Sequence, residues 1–255
     1  MSARVEITAL EQFPLLDAGE PFFPVFEAAL VENARDLRDK DVLVVAQKVI
    51  SKSENRYVDL SEVTPGNEAL RLSSQCQKDP RLVELILRES QAVIRYKPGV
   101  IVVRHRLGLV LANAGIDHSN IARDDHQDRV LLLPEDPDRS AAEIREHVRA
   151  KFGVEISVII SDSTGRAWRL GTCGICIGCA GIEALSDLRG RDDLYGRPLE
   201  VTLVGLGDEL AAAASLLMGQ ANEGRPVVII RGLDYENRSA GAASLIRPVA
   251  EDMFL

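Results

Sequence analysis

The sequence lacks the glycine-rich signatures that most nucleotide-using enzymes carry, with neither G-x-x-x-x-G-K-[ST] nor G-x-G-x-x-G between a strand and a helix. The common phosphate-loop and dinucleotide folds are therefore not expected. The four histidines, His105, His118, His126 and His147, show no H-E-x-x-H and no Cys/His spacing, which leaves a zinc hydrolase without support. A nucleophile-elbow serine is also absent. Basic charge is scarce: 30 Lys and Arg against 39 Asp and Glu give a formal net charge of -9, whereas a protein that grips phosphodiester backbones shows a Lys/Arg excess. No nucleic-acid partner is expected. No apolar run approaches the ~20 residues of a membrane span, and residues 1–9 carry Arg4 and Glu6 where a secretory leader has an apolar core. These absences point to a cytoplasmic protein with no membrane partner. Four cysteines are too few for a disulfide framework in a chain of 255 residues, and in a reducing compartment they would be thiols.

What is present is an ordinary globular composition, 46% hydrophobic and 27% charged, long enough to bury a substantial core. No repeat or flexible linker divides the chain, so residues 1–255 are read as one domain or two subdomains sharing a cleft. A β-branched run predicts a strand over 42–46, with polar groups gathering at its end. Pro80 after Asp79 predicts a helix from 80 to about 90. Extended runs follow at 100–104 and 107–112, placing Asp117, Ser119 and Asn120 on the loop that leaves the second. Ser140 with Glu143 forms a capping pair for a helix over 141–152 that Gly153 stops. A buried strand over 154–160 then delivers residues 161–166 to a loop, and an Ala-rich helix capped at Asp208 runs to 218 before a strand at 226–230. The irregular alternation predicts an α+β fold with mixed sheets.

The chemistry-bearing residues form oxygen-rich groups: Asp117 with Asn120, Asp162 with Ser163, and Gln220 with Glu223. Carboxylate, hydroxyl and amide oxygens suit Mg²⁺ or Mn²⁺ that also holds substrate phosphates, and Lys48, Lys52, Arg166 and Arg169 are the cations at hand for those phosphates. Each group also has a plainer reading. Asp and Asn in turns bond their own backbone, the lysines are solvated surface charges, Asp208 is a helix cap, and Trp168 is a packing residue. Cys173, Cys176 and Cys179 have the spacing of an iron–sulfur run but no local fourth ligand. On a regular strand Cys176 would face away from the other two.

Taken together, the strings Ala46-Gln47-Lys48-Val49-Ile50-Ser51-Lys52, Asn113-Ala114-Gly115-Ile116-Asp117, and Asp162-Ser163-Thr164-Gly165-Arg166-Ala167-Trp168-Arg169 resemble the F420-0:γ-glutamyl ligase family in order and spacing. So do Leu133-Pro134-Glu135-Asp136-Pro137-Asp138 and the late Asp208-Glu209-Leu210-Ala211 with Met218-Gly219-Gln220. The resemblance implies a GTP-dependent ligase that activates the terminal carboxylate of the deazaflavin precursor F420-0 as an acyl phosphate. L-Glutamate would then add to give F420-1 and, by a γ-linkage, F420-2. It implies an unusual α+β fold forming an intertwined homodimer. Asp117 and Asp162 would hold one divalent cation, Ser163 and Gln220 a second, with a monovalent cation such as K⁺ as a further requirement. GTP would contact Phe13, Pro14, Leu15, Leu16, Gln47, Lys48, Lys52, Asn120 and the segment Met218, Gly219, Gln220, Ala221, Asn222, Glu223, Gly224, Arg225. Catalysis would fall to Asp117, Asp162 and Lys52. The sequence departs from the family at Ser163, where a threonine is usual, at Ala167, where a proline is, and in the cysteine-bearing stretch 171–181. Alternatives are a ligase of the same architecture acting on another carboxylate, a nucleotide-binding module without catalysis, and a cysteine-based metal or redox protein.

Overall fold

The computed structural model describes residues 4–117, 128–236, 238 and 240–253. In chain order the elements are β1 (Glu6–Ala9), α1 (Phe22–Glu32), β2 (Val42–Ala46), α2 (Gln47–Ser53), β3 (Tyr57–Asp59), α3 (Asn67–Cys76), α4 (Pro80–Arg88), β4 (Ser90–Lys97), β5 (Val100–His105) and β6 (Val110–Ala112). They continue with β7 (Arg129–Leu131), α5 (Pro137–Phe152), β8 (Ser157–Arg166), β9 (Arg169–Ala180), β10 (Ser186–Asp187), β11 (Leu203–Val204), α6 (Leu206–Met218) and β12 (Val227–Arg231).

The principal sheet has the order β1-β12-β2-β8-β9, with β2 and β8 parallel and the other neighbours antiparallel. The expected α+β class with mixed sheets is therefore what the chain adopts. The apolar runs of β2, β12 and the first half of β8 are buried on both faces, as a central strand between two helical layers requires. One layer contains α1 and α5, whose Phe26, Leu30, Ile144 and Val148 meet Leu43, Val45 and Ile160 of the sheet. On the other, Leu210, Ala211 and Ala214 of α6 meet Val44, Ile159 and Val228. The helices sit close because β9 presents glycine to each: a Cβ on Gly174 would collide with the α6 backbone at Ala211, and one on Gly178 with the α5 backbone at Pro137. Sheet β4-β5-β6 packs with α3 and α4 around Leu72, Ile86, Ile101 and Val103.

Buried polar ties close the structure. Asp41, 1% exposed, accepts two 2.7 Å bonds from the Arg231 guanidinium and one of 2.8 Å from Arg38 N, fastening the start of β2 to the end of β12. Glu89 lies 3.2 Å from Arg56, 3.0 Å from Arg106 and 3.5 Å from the buried His105. Burial alone would raise the Glu89 carboxyl, but the His105 imidazole beside it and the charged Arg106 and Arg56 guanidinium groups outweigh it and hold the group down to about 2.

Several expectations need correction. Residues 161–166 are not a loop: β8 continues through them, paired with β9. The strand at 154–160 begins at Ser157, and the run at 107–112 is a strand only from Val110. Helix α4 stops at Arg88, short of residue 90. Helix α5 starts at Pro137 with Asp136 as its cap, while Ser140 bonds Glu54 and Glu143 bonds Arg139. Gly205, not Asp208, caps α6, and Asp208 instead accepts the Cys176 N–H at 2.9 Å. Cys176 and Cys179 share a face, because the pairing slips between Ile160 and Ser161 and the extra residue on β9 reverses the alternation. Trp168 is 87% exposed, so it is not the packing residue of the plainer reading.

Candidate active site

The edge of the principal sheet where β1 and β2 end and β12 begins carries a cavity of ≈ 350 Å³. Each wall follows from how a strand enters or leaves that edge. Beyond β1 the chain turns so that Leu10 N bonds Val227 O and Phe13 N bonds Gly224 O, which lays residues 13–16 against the loop after α6. Beyond β2 the chain enters α2 directly, and Ala46 N bonds Pro226 O at 2.8 Å. The parallel neighbour β8 runs past this point, so Ser161, opposite Ala46, is followed by Asp162 and Ser163 inside the cavity. Carboxyl ends of parallel strands are a favoured place for ligand clefts.

The lining gathers most of the residues singled out in the sequence: Phe13, Pro14, Leu15, Leu16, Gln47, Lys48, Lys52, Asp162, Ser163 and the whole segment 218–225. Ala46, Val49, Ser161, Gly174, Ser215 and Pro226 also line it and were not anticipated. Ser215 gave no signal, being one hydroxyl on an Ala-rich helix. Asn120, with Ser119, falls outside the described residues. Asp117 stands behind the lining: its backbone bridges Leu131 in both directions at 2.9 Å, and its carboxylate meets Lys48 Nζ at 2.6 Å. Arg166 and Arg169 lie at the far end of the β8–β9 hairpin, away from the cavity.

The lining combines a charged group, Asp162 with Lys48 and Lys52, and an apolar stretch along residues 13–16. In the charged group the Asp162 carboxyl keeps part of its surface open to the cleft but is otherwise enclosed. Burial pushes it up to about 6, the Ser163 backbone N–H works against that, and the Asp117 charge adds to it. Lys52 is shifted down, first by burial and then by the charge of Lys48. These lysines are half-buried in the cleft, not the solvated surface charges of the plainer reading. In the apolar stretch Phe13 and Leu16 are buried in the main core and Leu15 projects into solvent, while Arg225 Nε is buried with no acceptor among the described residues. Glu223 Oε2 accepts the Ala221 N–H at 2.9 Å, which closes the loop on itself.

This donor set fits a hard divalent cation. The Asp162 carboxyl feels the charge of Asp117 and is unfavourably charged where it sits, and the ammonium of Lys48, paired with Asp117 at 2.6 Å, already supplies positive charge beside them. Ser163 and Gln220 bring oxygens to the same cleft. The cysteines offer no comparable site: Cys176 and Cys179 are buried, each backbone N–H is taken by a carboxylate, and no cluster of three His, Cys, Asp or Glu occurs among the described residues.

Comparison with known proteins follows the same lines. Residues 11–232 match the model of a family described as F420-0:Gamma-glutamyl ligase. The chain is 46% identical over 231 residues to the coenzyme F420:L-glutamate ligase of Methanopyrus kandleri, covering 89% of this chain and 90% of that one. It is 44% identical over 252 residues to the protein of the same name from Methanothermobacter thermautotrophicus, covering 98% of both. The Archaeoglobus fulgidus protein of that name is 40% identical over 231 residues, 91% of this chain and 89% of its own.

Proposed function

Since the chain belongs to the F420-0:gamma-glutamyl ligase family and is a ligase forming carbon–nitrogen bonds, we propose that it adds L-glutamate to coenzyme F420-0 with GTP as the activating co-substrate. The observation that carries this is the cleft itself, which brings the charged Asp162, Lys48 and Lys52 together with an apolar wall along residues 13–16 and an arginine whose Nε has no acceptor among the described residues. That combination suits a nucleotide whose base lies along residues 13–16 and 219–225 and whose phosphates reach the lysines.

A carboxylate and an ammonium do not condense in water at useful rates, so the acceptor carboxylate must first be activated. In our reading one of its oxygens attacks the γ-phosphorus of GTP, the bond to the β-phosphate oxygen breaks, and GDP leaves an acyl phosphate. The glutamate amine then attacks the acyl carbon and inorganic phosphate departs, with one proton lost from the amine. A second round through a γ-linkage would give F420-2. Transfer of this kind depends on alignment and on neutralising charge. Lys52, already shifted toward its neutral form by burial, regains a charge partner when phosphate arrives. Lys48 can exchange Asp117 for the same phosphates. Asp117 and Asp162 would hold one divalent cation, and Ser163 with Gln220 a second. Such cations would neutralise the phosphate oxygens. A pair of chains is part of this reading, since Leu194, Tyr195 and Val201 between β10 and β11 are exposed apolar side chains of the kind a second copy would cover.

Mass spectrometry of F420-0 incubated with the protein, GTP, Mg²⁺ and glutamate tests the reaction. A glutamate-sized gain that needs GTP is expected. An unchanged acceptor, or a gain that occurs without nucleotide, would refute it.

A further inference from the structure

The β8–β9 hairpin leaves the cleft and ends in a turn whose chemistry no step above uses. Arg166 and Arg169 are directly paired across the strands, with Ala167 and Trp168 as the turn between them. Trp168 has φ +63, a left-handed conformation that such turns give to glycine or asparagine and that is strained for a bulky residue. Its indole is 87% exposed, and Leu170 beside it is 99% exposed. Like charges directly opposite each other are unfavourable, yet neither arginine has an ion-pair partner among the described residues. A strained, solvent-facing aromatic flanked by two unneutralised guanidinium groups is costly to keep. It becomes reasonable if a flat anionic molecule lies there.

The hairpin also has the right placement. On β8, Arg166 lies four residues beyond Asp162, and at ~3.3 Å per residue the two are roughly 13 Å apart along the strand. A free amino acid could not touch both. An elongated acceptor with a carboxylate at one end and a fused heteroaromatic ring at the other could.

We propose that this hairpin tip is the acceptor platform, with Trp168 stacking on the deazaflavin ring and Arg166 and Arg169 holding the anionic chain while its carboxylate lies by Asp162. The assignment rests on the ligase reading above and adds the site for the ring. It gives a solvent-facing residue a binding role outside the nucleotide cleft.

Trp168 is the only tryptophan, so its emission reports directly on the platform. Titrating F420-0 into the wild type should quench that emission to saturation. Trp168→Ala should weaken F420-0 binding in equilibrium dialysis by about tenfold, the usual effect of losing one stacked ring, with Trp168→Phe retaining most of the affinity. Arg166→Gln with Arg169→Gln should weaken it further and make it less salt-dependent. GTP affinity should not change in any of these exposed-site variants. If F420-0 binds wild type and Trp168→Ala equally, the platform is overturned while the ligase reading stands. If F420-0 does not bind the wild type at all, both fall. If Trp168→Ala instead dissociates an oligomer and leaves F420-0 affinity intact, the tip is a contact between copies and the proposal is wrong.

Discussion

Asp162→Asn should stabilise the metal-free protein while abolishing ligation, and the size of the effect can be worked from the structure. The carboxyl rises from an ordinary 3.8 to about 6 in the folded chain. Its folded value lies above its unfolded one, so the native state favours the protonated form. Well below pH 4 both states are protonated and there is no penalty. Between pH 4 and 6 the unfolded chain ionises first, and above 6 the native state carries the full cost. Two units at about 1.4 kcal/mol each give about 3 kcal/mol. Partial exposure to the cleft and the adjustable Lys48–Asp117 pair reduce this to about 2 kcal/mol. Chemical denaturation of chelator-treated wild type and Asp162→Asn between pH 4 and 8 isolates the term as a difference, since the other carboxylates are common to both. The variant should gain about 2 kcal/mol over wild type at pH 7 and only a small fraction of that at pH 4. Added Mg²⁺ should stabilise the wild type and leave the variant unmoved. A pH-independent difference, or a variant less stable than wild type at pH 7, would refute the reasoning.

Two further outcomes concern the buried ties. Asp41→Ala removes the acceptor of three hydrogen bonds and strands the Arg231 guanidinium, so urea unfolding should show a loss of about 2–4 kcal/mol, with any surviving folded enzyme retaining its nucleotide affinity. Glu89 is held below its ordinary 4.5, so its stabilisation is complete above that value and is lost as pH falls toward about 2. Glu89→Gln should therefore cost about 2–4 kcal/mol at pH 7 and flatten the acid side of the stability profile between pH 5 and 2, measured by circular dichroism.

The sequence revealed most where a residue's neighbours along the chain decide its structure. The apolar run 42–46, Asp79 with Pro80, and Gly153 at φ +71 each settle their element locally, and the structure has them in place. What stayed hidden depends on partners far away. Residues 161–166 are polar enough to suggest a loop, and only pairing with β9 makes them strand. The strand β4, with its mostly exposed alternating residues, exists because β5 lies beside it. Asp138 and Asp208 suggest first-turn helix acids, yet their carboxylates take the N–H groups of Cys179 and Cys176 on a strand between the two helices, fixing the slip that puts both thiols on one face. The cleft was legible beyond expectation for another reason: its liners lie in a few short contiguous strings that the family resemblance marked as units. The hairpin tip was misread because an aromatic side chain is packed more often than exposed.

The pairing of β1 with β12 joins strands from opposite ends of the described chain, and the cleft lies where they meet β2. Translation therefore delivers the apolar and acidic walls long before the loop 218–226 that completes them. Until that last described strand docks, β2 presents an unprotected apolar edge, and the cleft lacks the wall that residues 218–226 supply. The cleft is thus completed by the last described strand and not by a local motif, so a chain shortened near residue 220 would keep most of its apolar layers and still lack one wall of the site.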